Sequence, residues 1–188
     1  MTEELYHERQ TLYRCGLHAL NNVLQGPIFT KTSLDDACTE LTTRSDRTAS
    51  NGHINWVWNP HKAPMDLGNY DINVLTLALQ QKGYEMQWID KRMAVDENLV
   101  KFDEVEGVLC NVVMTTMFSS LWVQRHWFAI RKIQGVCYNL DSKLSVPVPF
   151  EKETECYQFL QELVNTGECE LFLVLKEHKK TETTLLAE

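Results

Sequence analysis

YHERQTLYRCGLHALNNVLQG, residues 6–26, decides how the chain is read. Leu17, Leu20, Val23 and Leu24 recur at three- and four-residue spacing, the period of one buried helical face. Gly26 and Pro27 close that helix, since Gly accepts a left-handed cap and Pro cannot continue a helix. Cys15 therefore falls in or just before the first turn. There the helix dipole and the N–H groups without helical partners favour an anion, so a thiol gains thiolate character. Gln10, five residues upstream, adds a neutral amide donor. A nucleophile at a helix start with a donor nearby is half of an acyl-transfer site. Taken alone, the stretch reads more simply as a core helix carrying an inert cysteine, the commoner role of that residue.

The whole chain has 188 residues, 44% hydrophobic and 23% charged, enough for one domain with a real core. A net charge of −8 argues against nucleic acid as the main partner, because phosphate binding needs a basic face. No run approaches the roughly 20 apolar residues of a membrane span. The start, MTEELYHERQ, is polar and acidic and does not read as a secretory signal. The expected compartment is the cytosol or nucleus, where thiols stay reduced. Six cysteines are present, with no CxxC pair and no zinc-spaced His pair, so neither disulfides nor a metal is expected. Cys38 and Cys156 fall on apolar helical stripes and Cys110 in a strand-like run. All three read as core residues.

Taken in order, residues 33–43 form a helix opened by Ser33 and Asp36, a variant capping box. Residues 44–68 read as a polar, turn-rich loop whose Trp56 and Trp58 either tether it to the core, the favoured reading, or form a contact surface. Asp71 begins another helix, ended by Gly83. Residues 84–89 read as a strand, 90–106 as irregular, and the apolar run 107–113 as a buried strand. Residues 114–124 hold two Met, one Phe and one Trp, either core packing or a loop that touches a partner. Residues 151–166 form a last amphipathic helix, 170–177 a strand, and 178–188 a polar tail. Helices first, then strands with a late helix, indicate an α+β domain with a mainly antiparallel sheet.

The other half of an acyl-transfer site comes from HWFAIRKIQGVCYNLDSK, residues 126–143, which reads as a β-hairpin turning at Gln134-Gly135. In that register Ile133 faces Val136 and Phe128 faces Asp141. His126 then lies on the same face as Asp141 and diagonal to it, about 7–8 Å apart at the backbone. Asn139 shares that face. A slip of one residue would put His126 and Asp141 on opposite faces. In such a set His126 takes the Cys15 proton, and Asp141 fixes the tautomer and stabilises the imidazolium. The oxyanion sits on the backbone N–H of Cys15 and the side-chain amide of Gln10. Each residue also has a plainer role. His126 could meet a backbone carbonyl, Asp141 could serve a turn, His7 could lie on the surface, and His18 could compete as base.

YHERQ, RCGLHALNNVLQG, GNYDINV, RHWFAIRK and YNLDSK occur in that order. Together they resemble the Josephin family of deubiquitinating cysteine proteases, over residues 6–143 and, with the last helix and strand, to about 177. The resemblance is to the short members that are little more than the Josephin domain. It implies a single catalytic domain over residues 1–177 with a tail over 178–188, and a papain-like fold. It implies Cys15 as nucleophile, His126 as general base, Asp141 rather than Asn139 as the orienting residue, and Gln10 as the oxyanion side chain. It implies no cofactor.

The activity so implied is thiol-dependent hydrolysis of the bond after ubiquitin's C-terminal glycine, usually an isopeptide bond to lysine. The partners are then ubiquitin and ubiquitinated proteins, and residues 33–65 occupy the place of the family's helical arm. The alternative on the same residues is a ubiquitin-binding module with little or no turnover, its site closed by the 44–68 or 114–124 loops.

Overall fold

The computed structural model describes residues 5–11, 14–48, 70–114 and 124–177, with the side chains of 45–48 outside the description. The helices are α1 (Cys15–Leu24), α2 (Lys31–Thr48), α3 (Ile72–Gln81) and α4 (Glu153–Asn165). The strands are β1 (Tyr84–Trp88), β2 (Gly107–Met114), β3 (Gln124–Ile133), β4 (Val136–Asn139), β5 (Val148–Pro149) and β6 (Cys169–Lys176). They form one antiparallel sheet in the order β1-β6-β2-β3-β4-β5. The α+β class and the antiparallel sheet are as expected. Trp56, Trp58, most of the 44–68 loop, the interior of 114–124 and the 178–188 tail lie outside the described residues.

The period-two alternation of the strands divides the core between two faces. Leu109, Trp127, Ala129 and Phe172 point to one face, under Leu20 and Val23 of α1 and Leu75 and Leu79 of α3. Cys110, Phe128, Ile130 and Leu171 point to the other, under Cys156, Leu160 and Val164 of α4. Cys38 joins the first cluster, and Cys110 and Cys156 the second, so all three are core residues.

Local chemistry sets the boundaries. Asp71 caps α3, its carboxylate accepting from the N–H of Asn73 and Val74. Helix α2 begins earlier than expected and runs on to Thr48, into the stretch read as a loop. Thr30 and Ser33 exchange hydrogen bonds, each hydroxyl accepting from the other's N–H, so Ser33 lies inside the first turn and Thr30 is the cap. Helix α1 also ends differently. The left-handed residue is Gln25 (φ 58°), and the N–H of Gly26 closes onto Asn21 O, a Schellman arrangement.

The β3–β4 turn falls on Gln134 (φ 52°) and Gly135 (φ 83°), the double positive φ that suits the twist of a two-residue hairpin. The register is the expected one, Ile133 opposite Val136 through Ile130 opposite Asn139. The N–H of Leu140 donates to Ala129 O, carrying the pairing one residue further toward Asp141. Gly107 lets α1 approach the sheet: a Cβ there would stand 2.6 Å from Ile130 O and 2.7 Å from Val23 Cγ2. Beside it, Arg131 donates to the Val23 carbonyl and pairs with Glu106 at 2.9 Å, placing a cation at the C-terminal end of α1.

Candidate active site

Cys15 is the first residue of α1 and is 5% exposed. It is seated by Gly16, where an added Cβ would lie 3.2 Å from Leu75 Cδ2 and 3.6 Å from Trp127 Cδ1. The helix start therefore rests against Trp127, and the preceding residue on β3 is His126. His126 is 4% exposed. Its ring lies against Phe128, centroids 6.0 Å apart and nearly parallel.

His126 Nε2 lies 2.8 Å from Asp141 Oδ1. Burial disfavours the Asp141 carboxylate. The His126 hydrogen bond and charge and the Lys143 N–H outweigh burial and hold the carboxyl below its ordinary range. An ionised carboxylate only accepts, so Nε2–H is the donor. That leaves Nδ1 for the thiol, with which the ring also interacts. Burial pulls the imidazole down, but its bonds to Asp141 and Cys15 raise it overall above the ordinary value. A helix-start thiol, an imidazole and a carboxylate thus stand in a row, each within reach of the next. The row can deprotonate the thiol and keep the proton nearby.

Asn139 does other work. Its side-chain oxygen accepts from the Asp141 N–H at 2.9 Å and shapes the turn that presents the carboxylate. Asp141 Oδ1 also accepts from the Lys143 N–H at 2.9 Å. An open cleft of about 460 Å³ is lined by Tyr70, Asp71, Ile72, Arg125, Trp127 and Phe172. Among the described residues, no group of three or more His, Cys, Asp or Glu is placed to hold a metal ion. No helix among them is long and apolar enough to cross a membrane.

The Josephin family model matches residues 10–175. The chain belongs to the Josephin family. A Josephin-like protein of Drosophila melanogaster is 42% identical over 183 residues, spanning 94% of this chain and 76% of its own. Human Josephin-2 is 37% identical over 174 residues, spanning 91% of this chain and 86% of its own. A Josephin-like protein of Arabidopsis thaliana is 40% identical over 161 residues, with 85% and 44% covered. The chain is thus a member of a deubiquitinase family, and its four described helices and six-stranded antiparallel sheet are consistent with a papain-like fold.

Within this Josephin domain the residues singled out from the sequence fall in two groups. Cys15, His126 and Asp141 come together. Gln10 lies on an extended strap, residues 5–11, and its N–H donates to Ser142 O at 2.7 Å. The Ser142 hydroxyl reaches Gln10 Oε1 at 3.5 Å, so the Josephin strap meets the turn one residue past Asp141. His7 is not a bare surface residue, because its Nε2 lies 3.1 Å from the Asp141 carbonyl. His18 does not compete as base. Its Nδ1 donates to Glu8 Oε2 at 2.7 Å, and its Nε2 accepts from the Thr11 N–H at 3.3 Å.

Sequence reasoning missed the polar face of α1. His18, Asn22 and Gln25 follow one another at helical spacing, as an apolar stripe would, and meet the strap rung by rung. That spacing was the available signal.

Proposed function

We propose that this protein is a thiol-dependent deubiquitinase that hydrolyses the peptide or isopeptide bond after ubiquitin's C-terminal glycine. The observation that carries this reading is the 2.8 Å contact of His126 Nε2 with Asp141 Oδ1, on a ring that also interacts with Cys15. His126 Nδ1 takes the Cys15 proton, and the sulfur attacks the glycine carbonyl carbon. The oxyanion is held by the Cys15 backbone N–H and the Gln10 side-chain amide. His126 returns its proton to the leaving lysine amine, the C–N bond breaks, and a thioester remains. His126 then deprotonates a water that attacks the thioester, releasing ubiquitin's carboxylate and restoring the thiol.

Asp141 holds the imidazole in the productive tautomer throughout and stabilises its charged form. The cleft beside Trp127 is where the tail of ubiquitin would enter. A nucleophilic thiol suits a reducing compartment, and we place the activity in the cytosol or nucleus. The test is hydrolysis of lysine-linked ubiquitin dimers, followed by the appearance of monomer. Turnover by the wild type and none by Cys15→Ala supports the reading. Equal turnover by both, or none by either, overturns it.

A further inference from the structure

We propose that Asn22 is a positioning residue of this site, fixing the strap that carries Gln10 relative to the turn that carries Asp141. The inference rests on the deubiquitinase reading above. Asn22 is fully buried, in the middle of α1. Its Oδ1 accepts from the Glu8 N–H at 2.6 Å. Its Nδ2 donates to Glu8 O at 3.2 Å and to Leu140 O at 2.9 Å. One amide therefore grips both backbone groups of a strap residue two before Gln10 and the carbonyl of the residue before Asp141.

The rest of the polar stripe extends the grip. Gln25 Oε1 accepts from the Tyr6 N–H at 3.0 Å, and its Nε2 donates to Tyr6 O at 3.1 Å and Asn22 O at 2.7 Å. His18 Nε2 takes the Thr11 N–H. The strap runs antiparallel to α1, residues 6, 8 and 11 meeting 25, 22 and 18. On its other side, the N–H of Gln10 bonds Ser142 O and His7 Nε2 bonds Asp141 O.

An extended segment has no internal partners for its N–H and C=O groups, and such groups do not stay unpaired when buried. Here helix side chains supply them. Gln25 also sits in the left-handed region, a conformation that costs a non-glycine residue free energy and that its three hydrogen bonds offset. The clamp thus persists despite a local cost.

Catalysis needs the oxyanion donor and the triad held in one frame, and a misplacement of about 1 Å can cost on the order of 10²-fold in rate. The expected result for Asn22→Ala is a kcat lower by about tenfold to a hundredfold, with KM within about twofold. Because Asn22 acts through Gln10, the same change in a Gln10→Ala background costs much less. Such non-additivity is the signature of coupled sites. Full additivity of the two losses, or a rise in KM with kcat intact, would overturn the proposal.

Gln25→Gly serves where Asn22→Ala folds poorly. Gly suits the left-handed helix end, so the fold is kept while the outer rung is removed. A kcat loss of a few-fold at unchanged melting temperature is expected, and no loss would contradict the clamp. Amide exchange of the Gln10 N–H, which does not touch Asn22, gives a readout independent of turnover. In Asn22→Ala it should speed up by tenfold or more, even in a protein that proves inactive. Unchanged protection at Gln10 would sink the positioning role alone, whereas absent wild-type turnover would sink only the deubiquitinase reading.

Discussion

Helix α4 buries Cys156, Leu160 and Val164 on one stripe and leaves Thr154, Gln158, Glu162 and Asn165 exposed. Helix α1, on the opposite face of the sheet, buries every residue from Cys15 to Leu24, including His18, Asn21 and Asn22. An ordinary amphipathic helix gives its polar side to water, as α4 does. Helix α1 gives its polar side to a strap of its own chain. Two cysteines of the α4 side contrast with Cys15. Around α4, burial pushes Cys110 up and Cys169 up to about 11, so both remain neutral thiols. Cys15 stands at a helix start beside an imidazole that is itself anchored by a carboxylate. A buried polar group on a helix is thus a better pointer to the working side of this molecule than a buried cysteine.

The sharpest way to break this contrast is to remove one thiol from each side. Cys15→Ala should lower ubiquitin hydrolysis by about 10⁴-fold or more, as loss of a nucleophile does, with little change in melting temperature. Asp141→Asn comes next, with a loss on the order of 10²-fold or more. Its pH profile has a definite sign. Asp141 raises His126, so losing its charge lets the imidazolium deprotonate earlier, and the alkaline limb of kcat/KM moves to lower pH.

Stability should follow the same pair. The raised His126 contributes fully below its ordinary 6.5 and fades as pH rises through its folded value. The lowered Asp141 contributes above its ordinary 3.8 and fades as pH falls through its folded value. The melting-temperature gap between wild type and Asp141→Asn should therefore be widest between those two values, and a gap flat across pH would contradict the pairing.

For the α4 core residues Leu160 and Cys156 the expected effects are on folding alone. Leu160→Ala should destabilise by about 2–5 kcal/mol in denaturant titration, while kcat per folded molecule stays unchanged. Cys156→Ala should cost less, about 1–2 kcal/mol, because it deletes one buried sulfur. If Cys156→Ala abolished turnover in folded protein, Cys156 would not be a purely structural thiol.

Much of this was legible in the sequence because the signals are short-range. The apolar spacing of Leu17, Leu20, Val23 and Leu24, the Asp71 cap and the Gln134-Gly135 turn each act over a few residues. The hairpin register brought His126 and Asp141 to one face. What stayed hidden depends on contacts across the fold. Nothing near Asn22 announces Leu140, which lies 118 residues away. Gln25 takes the left-handed position beside an available Gly26 because Tyr6 holds its side chain. The Thr30 cap displaces the expected start of α2 because Ser33 bonds back to it. Strand β5 is two residues long, including Pro149, too short to carry a pattern. Asn139 and Asp141 share a face, and only the turn geometry separates the residue that shapes the loop from the one that meets the imidazole.

The most direct measurement is reaction with ubiquitin bearing a thiol-reactive group at its C-terminus, read by intact mass on wild type, Cys15→Ala and Cys156→Ala. A single ubiquitin adduct on wild type and on Cys156→Ala, absent from Cys15→Ala, is the predicted result. No adduct on wild type, or an adduct that survives Cys15→Ala, would contradict Cys15 as the nucleophile of a deubiquitinase.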